Sequence, residues 1–142
     1  LMPHVLKAAN KEVKELQIFG GDYETTDGTC IRDFIHIMDL ANGHVQALRY
    51  IDEHLGCEAF NLGTGEGYSV LQLIHTFEQV NDVSVPYKIV ERREGDIITS
   101  IADVTKAYQL LRWEARFNLQ HMCADSWKWY LNQKESNNEA SI

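Results

Sequence analysis

The sequence predicts an α/β fold in which short strands and helices alternate within about one domain. Short apolar runs, each long enough for a strand, are separated by segments whose apolar residues recur at helical spacing. Most of these helical segments begin at a Ser, Asp or Asn, residues that cap helices. The chain has 142 residues, 44% hydrophobic and 24% charged, enough to bury a core. Alternating elements favour helices layered on a sheet.

The elements follow from these caps and from the turn formers between them. We expect helices at residues 1–9, from Asp39 to about His54, from Ser69, from Asp103 to about Leu111, and from Asn118. We expect strands at Leu16–Phe19, Ile31–Ile37, Ala59–Leu62 and Val85–Val90. One side of the second helix should collect Leu40, His44, Ala47, Leu48 and Ile51. Residues 134–142 are polar, and we expect them to form a disordered tail.

Composition excludes several classes of function. The net charge of −8 disfavours nucleic acid as a partner, because phosphate backbones need a basic surface. No apolar run is long enough to span a membrane, and no secretory signal pattern is present. The three widely spaced cysteines predict buried free thiols in a reducing compartment. The six histidines show no paired metal-ligand spacing, and His36 is predicted to be a packed, hydrogen-bonded side chain.

The loop AsnLeuGlyThrGlyGluGly, residues 61–67, superficially resembles a dinucleotide-binding loop. Its glycines are spaced Gly63-x-Gly65-x-Gly67, one residue short of GxGxxG, and the preceding strand is weak and lies in the middle of the chain. The spacing favours a tight strand-to-helix connection that needs positive φ or a close backbone approach. Ser69 would then cap the following helix.

A charge run covers residues 91–96, GluArgArgGluGlyAsp. Such runs are usually solvated, but an arginine fork also matches the oxygens of a diphosphate, and a nearby carboxylate can accept a ribose or sugar hydroxyl. Arg32, just before an apolar segment, could supply a second cation to the same diphosphate. The residues leave both interpretations open.

Several segments, taken in order, resemble a known family. They are LMPHVL, LQIFGGDYETTDGTCIRDFIHIMDLANGHVQAL, FNLGTGEGYSVLQLI, ERREGDI, ADVTKAYQLLRW and DSWKW. They resemble the C-terminal part of the UDP-glucose 4-epimerase family, which belongs to the extended short-chain dehydrogenase/reductases. The resemblance runs from Leu1 to about Gln133, and its phrases DGTxIRDFIHxxDLAxGH and RREGD are specific. It implies that residues 1–133 are the UDP-sugar-binding region of an NAD(P)-binding, Rossmann-like fold.

The resemblance implies an isomerase of galactose metabolism that interconverts UDP-glucose and UDP-galactose. In that family a bound NAD accepts the hydride from C4 of the sugar and returns it to the other face, and the tyrosine of a Tyr-x-x-x-Lys motif accepts the O4 proton. This sequence has neither that motif nor the family's N-terminal glycine fingerprint. We therefore expect no catalytic and no cofactor-binding residue in this chain, with NAD held by an N-terminal domain. The chain begins with Leu1, inside the first predicted helix. We therefore interpret the chain as a piece of a longer protein that would be inactive alone.

The same resemblance assigns the substrate-binding residues. Leu1 would lie beside the substrate, and the strand that contains Gln17, Ile18 and Phe19 would lie along the uracil. Arg32 and Arg93 would contact the diphosphate, and Asp96 would hold a ribose hydroxyl. Ser100 matches a pocket position that can be bulky or small, so a serine there predicts room for the N-acetyl group of UDP-N-acetylhexosamines. The resemblance also implies a homodimeric parent enzyme in the cytoplasm, with no metal.

Two alternatives stay open. The chain could be the substrate-binding part of a related UDP-sugar enzyme, such as a decarboxylase or dehydratase, although the phrase DGTxIRDFIHxxDLA favours the epimerase. It could instead be a non-catalytic binding module, such as a truncated chain. A module of that kind would need a solvated surface where the N-terminal domain docks, and exposed apolar residues near Leu1, Ile35 and Ile37 would make it prone to aggregation.

Overall fold

The computed structural model describes the backbone of residues 1–139 and the side chains of residues 1–136. Its helices are α1 (Met2–Ala9), α2 (Ile37–Glu53), α3 (Val70–Asn81) and α4 (Leu119–Glu139), with a π-helix at Ala107–Leu111. Its strands are β1 (Leu16–Phe19), β2 (Ile31–Arg32), β3 (Tyr68–Ser69), β4 (Tyr87–Val90) and β5 (Thr99–Ser100). Over this part of the chain, no helix combines the length and the hydropathy needed to cross a bilayer.

The strands form two small sheets. In the first, β1 and β4 run parallel, with Leu16 opposite Tyr87 and Phe19 opposite Val90. In the second, β2 lies in the centre, antiparallel to β3 and parallel to β5. Parallel strands need a crossover connection, and α3 lies in the one between β1 and β4. The predicted mixture of short strands and helices is therefore confirmed.

The larger core lies where α3 and α4 pack on each other and on α1 and β1. Phe77 and Ile74 on α3 and Cys123 on α4 are fully buried, together with Val5 on α1. Within each of these helices the core residues recur at helical spacing, as Leu73, Ile74 and Phe77 do on α3, which is why the sequence predicts α1, α3 and α4 well. This core includes Leu16 and Ile18 of β1 and so fixes the position of the strand that lines the candidate site.

A smaller core joins α2 to the π-helix. Ala107, Leu111 and Trp113 are buried there, and Ala47, Tyr50, Phe60 and Leu62 pack against them. The side of α2 predicted to collect Leu40, His44, Ala47, Leu48 and Ile51 is not packed at three of these positions: His44 is exposed, and Leu48 and Ile51 are 61% and 57% exposed. Helix α2 is apolar on two sides, and periodicity alone could not tell which side meets the rest of this chain.

Polar groups fix where the helices begin. Ser69 and Gln72 form a reciprocal capping box that starts α3, as predicted for Ser69. Asn118 accepts a hydrogen bond from the His121 amide at the start of α4, also as predicted. Helix α2, however, is capped by His36 instead of Asp39: His36 Nδ1 accepts from the Met38 amide at 3.1 Å. The buried carboxylate of Asp39 binds the amides of Arg116 and Phe117 instead.

Other predictions need correction. Residues 59–62 form no strand within the described chain, because no other strand lies beside them, although Phe60 and Leu62 are packed in the smaller core. The strand predicted at Ile31–Ile37 is confined to Ile31–Arg32, since α2 begins at Ile37. Of the cysteines, Cys30 and Cys123 are buried but Cys57 is exposed. Helix α4 continues through Glu139, so residues 134–139 are helical where a disordered tail was expected; residues 140–142 lie outside the described part.

Candidate functional site

A cleft of about 700 Å³ opens along β1. Its walls come from the start of α1, from β1 and β2, and from the loop after β4. The end of parallel strand β4 carries this loop to the same edge at which β1 ends, so the charge run 91–96 lies beside Phe19. The cleft brings together seven of the residues predicted to bind substrate: Leu1, Gln17, Ile18, Phe19, Arg32, Arg93 and Asp96.

Arg93 and Asp96 form a pair in this cleft. The Arg93 Nε and Nη2 atoms lie 3.0 and 3.2 Å from the two oxygens of the Asp96 carboxylate, a bidentate geometry. The Arg93 guanidinium also lies 4.6 Å from the centre of the Phe19 ring. The Arg93 side chain is 60% exposed, whereas that of Asp96 is only 18% exposed. A diphosphate could therefore reach the guanidinium from solvent, and the carboxylate stays close to the protein.

The neighbouring arginine has a different task. Arg92 Nε donates to Asp22 Oδ1 at 2.7 Å, and its guanidinium lies 4.2 Å from the centre of the Tyr23 ring. The hydrogen bond from Arg92 lowers the pKa of Asp22 and raises the pKa of Arg92. Arg92 thus anchors the charge run to the loop after β1, whereas Arg93 lines the cleft.

A second cavity, of about 490 Å³, meets the first at Arg32. Ser100 lines this second cavity and not the first, and the register of β2 on β5 places Ser100 opposite Arg32. Arg32 Nη1 donates to its neighbouring carbonyl, that of Ile31, at 2.7 Å. The predicted site residues are therefore divided between two adjoining cavities with a cation at the junction.

The glycine loop closes around a carboxylate of the protein itself. Asp33 accepts hydrogen bonds from the Thr64 amide and hydroxyl at 2.9 and 2.6 Å, and from the Gly65 amide at 3.0 Å. Gly65 has φ of +74°, and a Cβ on Gly63 would collide with the Asp33 carboxylate. The predicted positive φ and close approach are confirmed at Gly65 and Gly63, but the connection is not from a strand to a helix, since residues 59–62 form no strand and the loop leads into β3. Since Asp33 already occupies these amides, the loop does not fit a cofactor pyrophosphate.

His36 behaves as predicted, as a packed and hydrogen-bonded histidine. It is 5% exposed, its Nε2 lies 3.2 Å from Asp125 Oδ2, and its ring stacks on Phe117. These contacts hold the start of α2 against α4. Within residues 1–136, no three His, Cys, Asp or Glu side chains are grouped as a metal site would require.

The sequence did not single out several residues of the cleft. Phe34 and Cys30 line it. Tyr23 is buried against Gly20, the residue after Phe19, and its hydroxyl bonds to none of the described residues. Phe34 and Cys30 flank predicted ligand Arg32 in the same segment, so a search around that arginine could have found them. No sequence pattern reveals an unpaired hydroxyl, because that depends on what the fold places around it.

Comparisons with known proteins show which proteins the chain resembles. The family model described as GDP-mannose 4,6 dehydratase matches residues 1–126. UDP-glucose 4-epimerase of Bacillus subtilis (strain 168) is 51% identical over 129 residues, which cover 91% of this chain but 38% of the relative. The matched part is the C-terminal portion of such epimerases.

Solved structures give the same result. UDP-glucose-4-epimerase from Stenotrophomonas maltophila, with bound NAD and formylated UDP-arabinopyranose, is 46% identical, with a TM-score of 0.92 over 96% of this chain and 40% of that one. The Bifidobacterium longum epimerase, in complex with NAD+ and UDP, is 44% identical, with a TM-score of 0.82 over 93% of this chain and 39% of that one. The chain thus spans about two fifths of the proteins it resembles.

Proposed function

This chain belongs to the GDP-mannose 4,6-dehydratase family. We propose that it is the UDP-sugar-binding end of a UDP-glucose 4-epimerase. The complete enzyme would interconvert UDP-glucose and UDP-galactose, as an isomerase of galactose metabolism in the cytoplasm. It would act as a homodimer on its UDP-sugar, with NAD as cofactor. Similarity to UDP-glucose 4-epimerases over 91% of the chain supports the proposal.

The main support for this proposal is that two cavities meet at Arg32. The first cavity, the arginine and the second cavity follow the same order as the nucleoside, the diphosphate and the hexose of a UDP-sugar. The cleft along β1 offers an apolar strand and an aromatic ring, Phe19, which suit a uracil. Arg32 stands at the junction, where the diphosphate would lie, and Ser100 lies beyond it in the second cavity, where the hexose would lie. A nucleoside, a diphosphate and a sugar would fill this arrangement in that sequence.

Each proposed ligand has a chemical reason for its place. The backbone of β1 at Gln17 and Ile18 can pair with the polar edge of a uracil, whose amide-like groups resemble a peptide. Arg93 offers a planar fork of donors that matches the oxygens of a diphosphate. Asp96 offers acceptors for a ribose hydroxyl, and Leu1 closes the cleft from the side of α1. The overall charge of −8 leaves these local arginines to attract the anion.

We assign no part of the hydride transfer to this chain. The glycine loop is closed by Asp33, and the sequence contains no Tyr-x-x-x-Lys, so we assign neither NAD nor the general base to residues 1–142. The chain alone should therefore bind a UDP-sugar weakly and show no epimerase turnover when NAD is supplied. Turnover by the purified chain would contradict this division of labour.

Ser100 supports a second class of substrate, the UDP-N-acetylhexosamines. It is small and exposed, and it lines the cavity proposed for the hexose, so an N-acetyl group would find room beside it. The complete enzyme should accept UDP-N-acetylglucosamine as well as UDP-glucose. If the enzyme with Ser100 turned over only UDP-glucose, and a Ser100→Tyr variant were no more selective, this choice would be wrong.

The experiment that tests the proposal is a titration of the chain with UDP, followed by NMR so that weak binding is detected. UDP should shift signals of β1 and of residues 91–96, and GDP, whose base is larger, should bind less well. Arg93→Gln should weaken UDP by about 10-fold or more, since it removes a charge-assisted fork, while uridine binding changes little. Arg49→Gln on exposed α2 is the matched control and should leave UDP binding unchanged.

The outcomes separate the alternatives. GDP binding better than UDP would favour a guanosine-sugar enzyme of the kind that the family description names. Absence of nucleotide binding would overturn the proposed function. A related UDP-sugar decarboxylase or dehydratase would bind UDP equally, and the sugar product of the complete enzyme distinguishes it from an epimerase.

A further inference from the structure

Tyr23 has a buried hydroxyl without a partner. The side chain is 5% exposed, and its hydroxyl oxygen is the buried side-chain polar atom that bonds to no residue of the described chain. Buried polar groups are nearly always hydrogen-bonded, so such an exception calls for a physical reason. One reason is that the hydroxyl gains its partner in another state of the site.

The position of the ring points toward the cleft. The Cζ and Cε2 atoms, at the hydroxyl end of the ring, lie against Gly20, where any Cβ would collide with them. Gly20 directly follows Phe19, and the Arg92 guanidinium covers a face of the ring, 4.2 Å from its centre. The ring therefore packs against the residue that directly follows Phe19, which lines the cleft, and the Tyr23 side chain is too buried to touch a nucleotide itself.

The groups around the hydroxyl make it a neutral donor. Burial raises the pKa of Tyr23, and the nearby Cys30 and Asp96 raise it further. Cys30 is close enough to act on this pKa but does not make a hydrogen bond of ordinary geometry with the hydroxyl. Both neighbours line the cleft. The Tyr23 proton is thus available to an acceptor that comes within reach, and a carboxylate is the stronger acceptor of the two.

Asp96 becomes such an acceptor when its own partner is withdrawn. In this structure both its oxygens are engaged by Arg93. A diphosphate that engaged Arg93 would compete for the same donors and leave a mostly buried carboxylate short of partners, which is unfavourable. We propose that Tyr23 is a positioning residue that donates its hydroxyl proton to Asp96 when a nucleotide diphosphate takes Arg93, and so holds Asp96 toward the ribose. This inference rests on the proposed function and assigns a residue that it does not use.

Tyr23→Phe tests the inference, because it removes only the oxygen. The variant should keep its urea unfolding midpoint or raise it, since it deletes an unsatisfied buried group. It should weaken UDP by about 3- to 10-fold, the size of one hydrogen bond. Tyr108→Phe, which removes the same oxygen from an exposed tyrosine of the π-helix, is the control and should change neither quantity.

A double-mutant cycle with Asp96→Asn identifies the partner. Tyr23→Phe should add little to the loss caused by Asp96→Asn, because the hydroxyl acts through that carboxylate. Three results would overturn the inference: additive losses of UDP affinity in the double variant, wild-type UDP affinity in Tyr23→Phe, or failure of Tyr23→Phe to fold. Each would show that the hydroxyl does not act through Asp96. If the wild-type chain binds no UDP, the proposed function fails and the inference with it, and this result is visible before any variant is made.

Discussion

At the scale of single residues, Asp33 shows how one carboxylate organises the site. It takes amide donors from the glycine loop at Gly65 and, at 3.3 Å, from Ala102 in the segment after β5. The same residue directly follows Arg32 and precedes Phe34, which both line the cleft. A carboxylate that binds the loop on one side thus fixes the backbone that presents a proposed diphosphate ligand on the other.

Asp33→Asn should destabilise the chain by about 2 kcal/mol, because an amide keeps the size but replaces one acceptor with a donor that faces other donors. Urea unfolding followed by circular dichroism measures the change. Asp52→Asn, an exposed carboxylate on α2, is the matched control and should stay within about 0.5 kcal/mol of wild type. Equal stability of the two variants would show that the loop does not depend on Asp33.

At the scale of elements, the end of α1 is fastened to α4 by a polar cluster around Glu12. The Tyr130 hydroxyl donates to Glu12 Oε1 at 2.6 Å, Asn10 donates to the same oxygen at 2.9 Å, and Lys134 completes an ion pair. These donors, Lys134 first, lower the pKa of Glu12 from 4.5 to about 2. Lys134 belongs to the segment expected to be a disordered tail, so the cluster explains why α4 continues past residue 133.

The depressed pKa makes this cluster sensitive to acid. As the pH falls, the unfolded chain takes up the proton at Glu12 before the folded chain does, so its stabilisation is complete above pH about 4.5 and is lost as the pH approaches 2. Glu12→Gln should therefore be less stable than wild type at pH 6, and the difference should shrink toward pH 2. Denaturant unfolding at both pH values measures it.

Glu135→Gln, at an exposed position on α4, controls for the loss of a charge. Its stability relative to wild type should not change with pH over this range. A constant difference between wild type and Glu12→Gln across this pH range would mean that the contact does not depend on ionisation.

At the scale of the whole molecule, α2 presents an apolar face to solvent. Ile37, Leu48 and Ile51 lie on one side of the helix and are 69%, 61% and 57% exposed. Exposed apolar side chains grouped on one face are typical of a docking surface. Under the proposed function, this face would be covered by the N-terminal portion of the epimerase, since the chain matches only 38% of the relative's length. Residues 59–62, whose Phe60 and Leu62 pack in the smaller core beside α2, pair with no strand of the described chain and would be open to pairing by the same unit.

Leu48→Gln with Ile51→Gln should reduce self-association and the binding of an apolar dye while leaving the chain folded, because neither side chain supports a core and glutamine is a good helix former. Light scattering and dye fluorescence measure the two effects. Glu53→Gln at the end of the same helix is the control and should change neither. Unfolding of the double variant would instead show that this face stabilises the chain itself.

The predictions succeed where a pattern is local. The capping box at Ser69 and the apolar spacing of α3 lie within a few residues of each other, and the strand Leu16–Phe19 has the predicted bounds. The predicted start of α2 at Asp39 is too late, because Asp39 is a common capping residue and His36 is not. In the structure His36 caps the helix, and the Asp39 carboxylate accepts from the amides of residues 116 and 117. The distant partner of a carboxylate leaves no local signal.

The sequence by itself determined the α/β alternation, the caps of α3 and α4, the tight glycine connection and, through its motifs, the family. These depend on neighbours along the chain and on side-chain chemistry. Only the tertiary structure decided which arginine of the charge run faces the cleft, which side of α2 is covered, and that Tyr23 lies buried without a partner. These depend on residues far apart in sequence, such as Asp22 with Arg92 and Glu12 with Lys134, that only the packed chain brings together.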